Sequence, residues 1–201
     1  MKNYFYVLSA IVLAVLPLCS SAQTHIKDDF LENTSLDWTE FADKSGSGLV
    51  QNGYLELISK DKETPKKIWT DELPVVTDGD FTVKAEIVVP KLTADICFGI
   101  IYNRNSDQKL EYYLFSSKEC MLVKKEEVDP WPIKLPEGKN KTITVEIKQL
   151  GGKTIISVND MQIAKFKNPI ETPAFGFWTP GGFSLRVTSV EVDQDYNPSV
   201  E

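Results

Sequence analysis

Apolar and polar residues alternate in short runs along most of this chain, and no stretch carries helix-period spacing. Phe81-Thr82-Val83-Lys84-Ala85-Glu86-Ile87-Val88-Val89 alternates until its last residues, and Pro90 ends it. Ile143-Thr144-Val145-Glu146-Ile147-Lys148 does the same. Turn chemistry separates the runs. Asn52-Gly53 predicts a tight hairpin between Leu49-Val50-Gln51 and Tyr54-Leu55-Glu56-Leu57. Gly151-Gly152 leads into Thr154–Val158, and Asn159-Asp160 turns that strand into Met161–Phe166. The last predicted strand, Phe183 to Val192, alternates imperfectly. About a dozen strands with turn signals roughly every 8–12 residues predict an all-β sandwich rather than βαβ units. Two stretches break the rhythm: Ser59–Thr70, rich in Lys, and Glu126–Lys141, with Asp129-Pro130-Trp131-Pro132.

A central meander holds the candidate chemistry. Its strands are Ile96–Asn103, Leu110–Phe115 and Cys120–Val123, with short polar turns between. Side chains on a strand alternate between faces. One face collects Cys97, Gly99, Ile101, Leu110, Tyr112, Leu114, Cys120 and Leu122, which reads as core. The other collects Phe98, Ile100, Tyr102, Lys109, Glu111, Tyr113, Phe115, Met121 and Lys125. Such a mixed aromatic and charged face suits a flat polar ligand such as a sugar, and suits a half-wet surface equally well. On this reading Tyr102, Glu111 and Tyr113 share a solvent-facing surface, with Arg104 at its rim and Lys109 beside it.

The N-terminus reads as a secretory leader over residues 1–22. Lys2 supplies the positive end, Tyr4–Leu18 is apolar, and Ser20-Ser21-Ala22 gives the small residues a signal peptidase needs. Lipidation at Cys19 is the alternative, opposed by bulky Leu18 where a small residue normally precedes the lipidated cysteine. The expectation is export to the periplasm or the extracellular space, with no membrane span after processing. A single domain over 23–193 and a loose tail over 194–201 complete the organisation.

The chain carries 22 Lys and Arg against 29 Asp and Glu; loss of Lys2 with the leader leaves a net charge of about −8. That balance argues against a nucleic-acid partner, whose phosphates it would repel. The one histidine, His25, sits near the start, which removes mechanisms built on positioned imidazole. Two cysteines remain after the leader, Cys97 and Cys120. Two strand spacings, roughly 9–10 Å, would separate them, so both are expected to be free thiols. The alternating charges of Lys60–Lys67 need only solvent.

Several ordered segments carry a resemblance: Asp28-Asp29-Phe30 and Trp38, Asn52-Gly53-Tyr54-Leu55-Glu56-Leu57, Asp80-Phe81-Thr82-Val83, Phe98–Tyr102 with Tyr112-Tyr113, Val158-Asn159-Asp160, and Phe175-Gly176-Phe177. Together they resemble the concanavalin A-like sandwich, in its LamG-like and family 16 glucanase-like bacterial branch. The resemblance implies a jelly-roll sandwich of two antiparallel sheets, a fold that serves lectins, hydrolases and interaction domains alike. Glucanases of that branch use a Glu-x-Asp-x-(x)-Glu strand. Here the nearest string is Glu191-Val192-Asp193, on the last strand. Against the similar 3-keto-disaccharide hydrolase branch, Glu111 matches the Glu, while Tyr113 and Ser116 stand where Gln and Asp are expected. The resemblance also implies a structural calcium site, but Thr188 replaces its last-strand Asp. No metal or cofactor is therefore expected.

Among the tryptophans, Trp38 and Trp69 read as core, Trp131 as a projecting residue on a stiff loop, and Trp178 as a strand-end residue. The expected function is non-catalytic glycan or oligosaccharide binding on the concave sheet face, through Tyr102, Arg104, Glu111, Tyr113, Trp131 and Trp178, with no catalytic residues. The alternatives are a divergent glycoside hydrolase using Glu111 and a cell-envelope protein-interaction module.

Overall fold

The structure is a computed structural model that describes residues 22–31, 36–71, 73–75, 79–104, 107–124, 127–135, 137–167, 170 and 172–196. The leader expected over 1–22 lies outside these residues except for Ala22. Among the described residues are fifteen strands and no helix. The first eight are β1 (Ala22–Asp28), β2 (Phe41–Asp43), β3 (Gly46–Gln51), β4 (Tyr54–Ser59), β5 (Lys66–Thr70), β6 (Phe81–Leu92), β7 (Phe98–Arg104) and β8 (Leu110–Phe115). Then come β9 (Glu119–Lys124), β10 (Glu127–Pro132), β11 (Gly138–Leu150), β12 (Lys153–Val158), β13 (Met161–Phe166), β14 (Phe175–Thr179) and β15 (Ser184–Tyr196).

They form two antiparallel sheets. The nine-stranded sheet runs β13-β12-β11-β6-β15-β4-β3-β2, with β1 alongside the second half of β15. The six-stranded sheet runs β10-β9-β8-β7-β14-β5. The expected all-β sandwich is the observed architecture. Its core lies between the sheets, where β6 contributes Val83, Ala85, Ile87 and Val89, and β11 contributes Ile143, Val145 and Ile147. Phe98, Phe115, Phe175 and Phe177 meet them from the six-stranded sheet.

Local sequence explains the hairpins. Asn52 and Gly53 (φ 55° and 77°), Gly151 and Gly152 (54° and 68°), and Asn159 and Asp160 (48° and 63°) all take the left-handed region. Two consecutive positive-φ residues make the turn whose twist matches the flanking strands, and Gly, Asn and Asp reach it at least cost. The imperfect alternation of the last strand also has a cause. A bulge between Val187 and Ser189 adds one residue, Thr188, so Val187 and Val190 both face the core.

Several boundaries differ from expectation, and Pro90 does not end its strand, since β6 runs through it to Leu92. β15 continues through Tyr196, because β1 pairs with it from Asp28↔Val190 to Ala22↔Tyr196; residues 197–201 lie outside the described residues. The Lys-rich stretch contains β5. The Pro-Trp-Pro segment is not a loop but strand β10, paired through Trp131↔Cys120. Proline is tolerated there because β10 is an edge strand.

A buried polar contact ties the first loop to the core. Asp28 accepts from the Phe30 N–H (3.1 Å) and from Trp38 Nε1–H (3.1 Å). Trp38 packs against Phe177, ring centroids 5.8 Å apart. Trp38→Phe would leave a buried carboxylate oxygen without its donor. The expected cost is about 1–3 kcal/mol, read as a lowered urea midpoint.

Cys97 and Cys120 are both free and buried. Phe98, Phe115 and Cys120 lie in one cross-strand row, so Phe115 rather than Leu114 separates the thiols. Burial pushes the Cys120 thiol up to about 12. The folded state thus disfavours its thiolate, and the associated stability, present below the ordinary thiol range near 9, is lost as pH rises toward 12. In protein beginning at Gln23, a thiol reagent at neutral pH should find neither cysteine when native and both when denatured without reductant. A disulfide in the denatured, unreduced monomer would contradict the strand register.

Candidate functional site on the outer face of the six-stranded sheet

The facing of β7 and β8 decides which residues meet solvent, and it is the reverse of the sequence reading. Phe98, Ile100, Tyr102, Tyr113 and Phe115 point into the sandwich. Tyr102, Glu111 and Tyr113 are only 4%, 1% and 1% exposed. The expected ligand surface of Tyr102, Glu111 and Tyr113 is therefore corrected: all three are interior. Gly99, Ile101, Leu110, Tyr112 and Leu114, read as core, take the outer face. A one-residue change of phase moves every side chain across the sheet. Here both phases offer apolar sets, so alternation alone does not choose between them. The larger rings won the interior, where they remove more apolar area from water. Phe98 and Phe115 stack at 4.9 Å, and Tyr102 and Tyr113 meet at 4.7 Å.

Burying Glu111 needs compensation. A bulge in β7 supplies it: Ile101 pairs with Tyr112 and Asn103 with Glu111, leaving Tyr102 as the extra residue. Tyr102 and Asn103 therefore both reach one carboxylate. The Tyr102 hydroxyl and Asn103 Nδ2 each donate to Glu111 Oε2 at 3.1 Å. Asn103 Oδ1 in turn accepts from the Thr172 N–H (3.1 Å), and the Arg104 N–H donates to the Thr172 carbonyl (2.9 Å). Burial first, then the Glu111 charge, holds the Tyr102 hydroxyl above the ordinary tyrosine range, so it remains a donor. Burial likewise raises the Tyr113 hydroxyl, with Tyr102 beside it.

The outer face is built from two cross-strand rows. One runs Lys67, Trp178, Gly99, Leu114, Met121; the next runs Trp69, Gly176, Ile101, Tyr112, Val123. Trp178 is the penultimate residue of β14, near the strand end as expected, and its ring lies nearly parallel to Tyr112 (11°, centroids 6.4 Å apart). Trp69, expected in the core, stands on this face with Lys67 Nζ 5.5 Å from its ring centre. Glycine makes the arrangement possible. A Cβ at Gly176 would come within 2.5 Å of Trp69 Cβ, and one at Gly99 within 3.1 Å of Trp178 Cβ.

At one end the face opens into a cleft of about 420 Å³ lined by Lys67, Trp69, Arg104, Gln108, Lys109, Leu110 and Tyr112. Arg104 is at the rim as expected, with Asp71 2.5 Å from Nη2 and Gln108 3.4 Å from Nη1. Lys109 lines the cleft rather than lying beside it. Trp131 stands on β10, the edge strand beyond β9 and at the opposite edge of the sheet from β5; its side chain lies outside what the structure describes. Lys67, Trp69, Gln108, Leu110 and Tyr112 are the lining residues sequence reasoning missed. For Trp69 the signal was present: Ile68 is an inward residue, which turns Lys67 and Trp69 outward.

The outer face of the nine-stranded sheet is different in kind. Lys27, Glu191, Lys84 and Glu146 lie in one cross-strand row of alternating sign. Lys27 pairs with Glu191 at 2.8 Å and Lys148 with Glu146 at 3.0 Å. The glucanase-like Glu191-Val192-Asp193 string belongs to this face, away from the cleft, and Asp193 meets His25 at 2.5 Å. At the calcium position the resemblance implies, Thr188 Oγ1 donates to a Glu86 carboxylate oxygen (2.8 Å). Among the described residues, no group of three His, Cys, Asp or Glu side chains is placed to share a metal ion.

No protein-family model matches the sequence, and no curated protein sequence matches it. Solved structures match the fold. One is a sialidase (TM-score 0.62, 14% identity), in which 84% of this chain corresponds to 18% of that chain. This chain thus spans under a fifth of that protein's length. Another is a non-specific endo-β-1,3(4)-glucanase from family GH16 (TM-score 0.61, 12% identity, 86% of this chain and 91% of that one). A third is a carbohydrate-binding module from Bacillus subtilis (TM-score 0.51, 13% identity, 77% and 96%). These likenesses establish the architecture as a concanavalin A-like jelly roll.

Glu111→Ala would strand two buried donors, the Tyr102 hydroxyl and Asn103 Nδ2. The expected loss is about 2–4 kcal/mol of stability in urea unfolding. An unchanged midpoint would remove Glu111 from the interior.

Proposed function

We propose that this chain is an exported, non-catalytic carbohydrate-binding domain that takes glycan on the outer face of its six-stranded sheet. The observation that carries the reading is the near-parallel pair of half-buried rings, Tyr112 and Trp178, with Trp69 beyond them on the same face. Aromatic rings on a rigid sheet offer the apolar face of a sugar a flat partner, and the adjoining cleft has the size of a small-molecule site. The contrast between the two outer faces supports it, since the nine-stranded sheet presents charges that pair with one another and with water. Export rests on the leader pattern of Lys2, Tyr4–Leu18 and Ser20-Ser21-Ala22, and its destination is the periplasm or the extracellular space.

Glu111 does not serve as an acid or base in this reading. It faces the core, and a glycan on the outer face lies across the sheet from it. The structural neighbours include both hydrolases and a binding module, and the fold is common to them.

Glycan-array screening followed by calorimetry tests the proposal. Trp178→Ala and Tyr112→Ala should each weaken binding by about 1–2 kcal/mol, roughly 5- to 30-fold, and leave the unfolding free energy measured in urea within about 1 kcal/mol of wild type. Glu111→Gln should leave affinity unchanged. A wild-type protein that binds no glycan would overturn the proposal in favour of a protein-interaction surface.

A further inference from the structure

The cleft carries a charge opposite to that of the chain. The whole chain has a net charge of −7, yet Lys67, Arg104 and Lys109 line one cleft whose remaining lining residues, Trp69, Gln108, Leu110 and Tyr112, carry no carboxylate. Asp71 meets Arg104 from outside that lining, fixing one end of the guanidinium. Lys67 lies against the Trp69 ring and, among the described residues, makes no ion pair with a carboxylate. Its neighbour Lys66, facing the other way, is spent on Asp43 at 3.1 Å.

Hydrogen-bond bookkeeping points the same way. Among the described residues, Trp69 Nε1 and Arg104 Nε are buried donors without an acceptor. Such groups are rare because each forfeits a hydrogen bond it had in water. Both belong to residues of this cleft, and both lack an acceptor rather than a donor. A cationic, donor-rich recess between aromatic walls matches a ligand with a flat apolar side and concentrated negative oxygen.

Resting on the glycan-binding reading above, we propose that the cleft selects saccharides carrying an anionic substituent, a carboxylate or a sulfate. One sugar ring packs against Trp69 and Tyr112 while Lys67 and Lys109 meet its anionic group, and Arg104 contributes its charge from the rim.

Paired probes test it by calorimetry: an oligogalacturonate against its full methyl ester, and a sulfated galactan against its desulfated form. A neutral glucan series runs alongside. One charged member should bind on the order of tenfold more tightly than its neutral partner. That preference should shrink as salt rises from about 50 to about 500 mM, and should disappear in Lys67→Gln/Lys109→Gln. Lys153→Gln, on the other sheet, should retain it. The pair that discriminates identifies the substituent. Equal affinity within both pairs, or an equal loss in Lys153→Gln, would overturn the anionic preference and leave glycan binding standing. Binding only to neutral glucans would do the same. No binding to any saccharide would overturn both.

Discussion

The hydrogen bonds that Glu111 Oε2 accepts from Tyr102 and Asn103 are the contact on which the six-stranded sheet depends. A carboxylate in the interior of a sandwich is affordable only with donors beside it, and ordinary pairing of β7 with β8 would bring it one residue at most. The bulge at Tyr102 brings two. Once it is fixed, the phase of both strands is fixed too, and with it the choice between rings that fill the core and rings that face outward. Through Asn103 the same network holds the backbone at Thr172, just before β14 carries Trp178 onto the face. A polar group far from any ligand thereby orients the surface that would meet one.

The two outer faces divide the roles of a sandwich. On the nine-stranded sheet, Lys27 pairs with Glu191 and Lys148 with Glu146, in and beside a row of alternating charges. On the six-stranded sheet the outward-directed residues are Trp69, Ile101, Leu110, Tyr112, Leu114 and Trp178; Ile101 and Leu114 are covered by their neighbours, and the other four are half-buried, a largely apolar face where the other sheet carries charges. Glycines 99 and 176 lower the floor beneath those rings, because neither position has room for a Cβ.

What the sequence revealed follows from which signals had a single physical meaning. Asn52-Gly53, Gly151-Gly152 and Asn159-Asp160 named their turns because few other residues accept two positive φ angles in succession. Trp178 was legible as a surface residue because Phe175 and Phe177 claim the interior by alternation. The facing of β7 and β8 was not legible. Ile100 and Ile101, or Tyr112 and Tyr113, are equally suited to either side, and a lone Glu111 reads as solvent-facing until its two donors are seen together. Trp131 was taken for a loop residue because Pro130 and Pro132 look like strand breakers, which they are not on an edge. The cleft cations come from β5, β7 and the β7–β8 turn, and only the tertiary fold brings Lys67 to Arg104 and Lys109.

The pairing of β1 with β15 has a consequence for how the domain would be displayed. Ala22 lies opposite Tyr196, so the two ends of the described chain leave side by side, both from the nine-stranded sheet. The aromatic face belongs to the other layer, about 10 Å of packed core away. Whatever is joined to either end, whether a surface, an anchor or a second domain, is held at the back of the molecule. The cleft is left pointing outward, unshadowed by its own attachment.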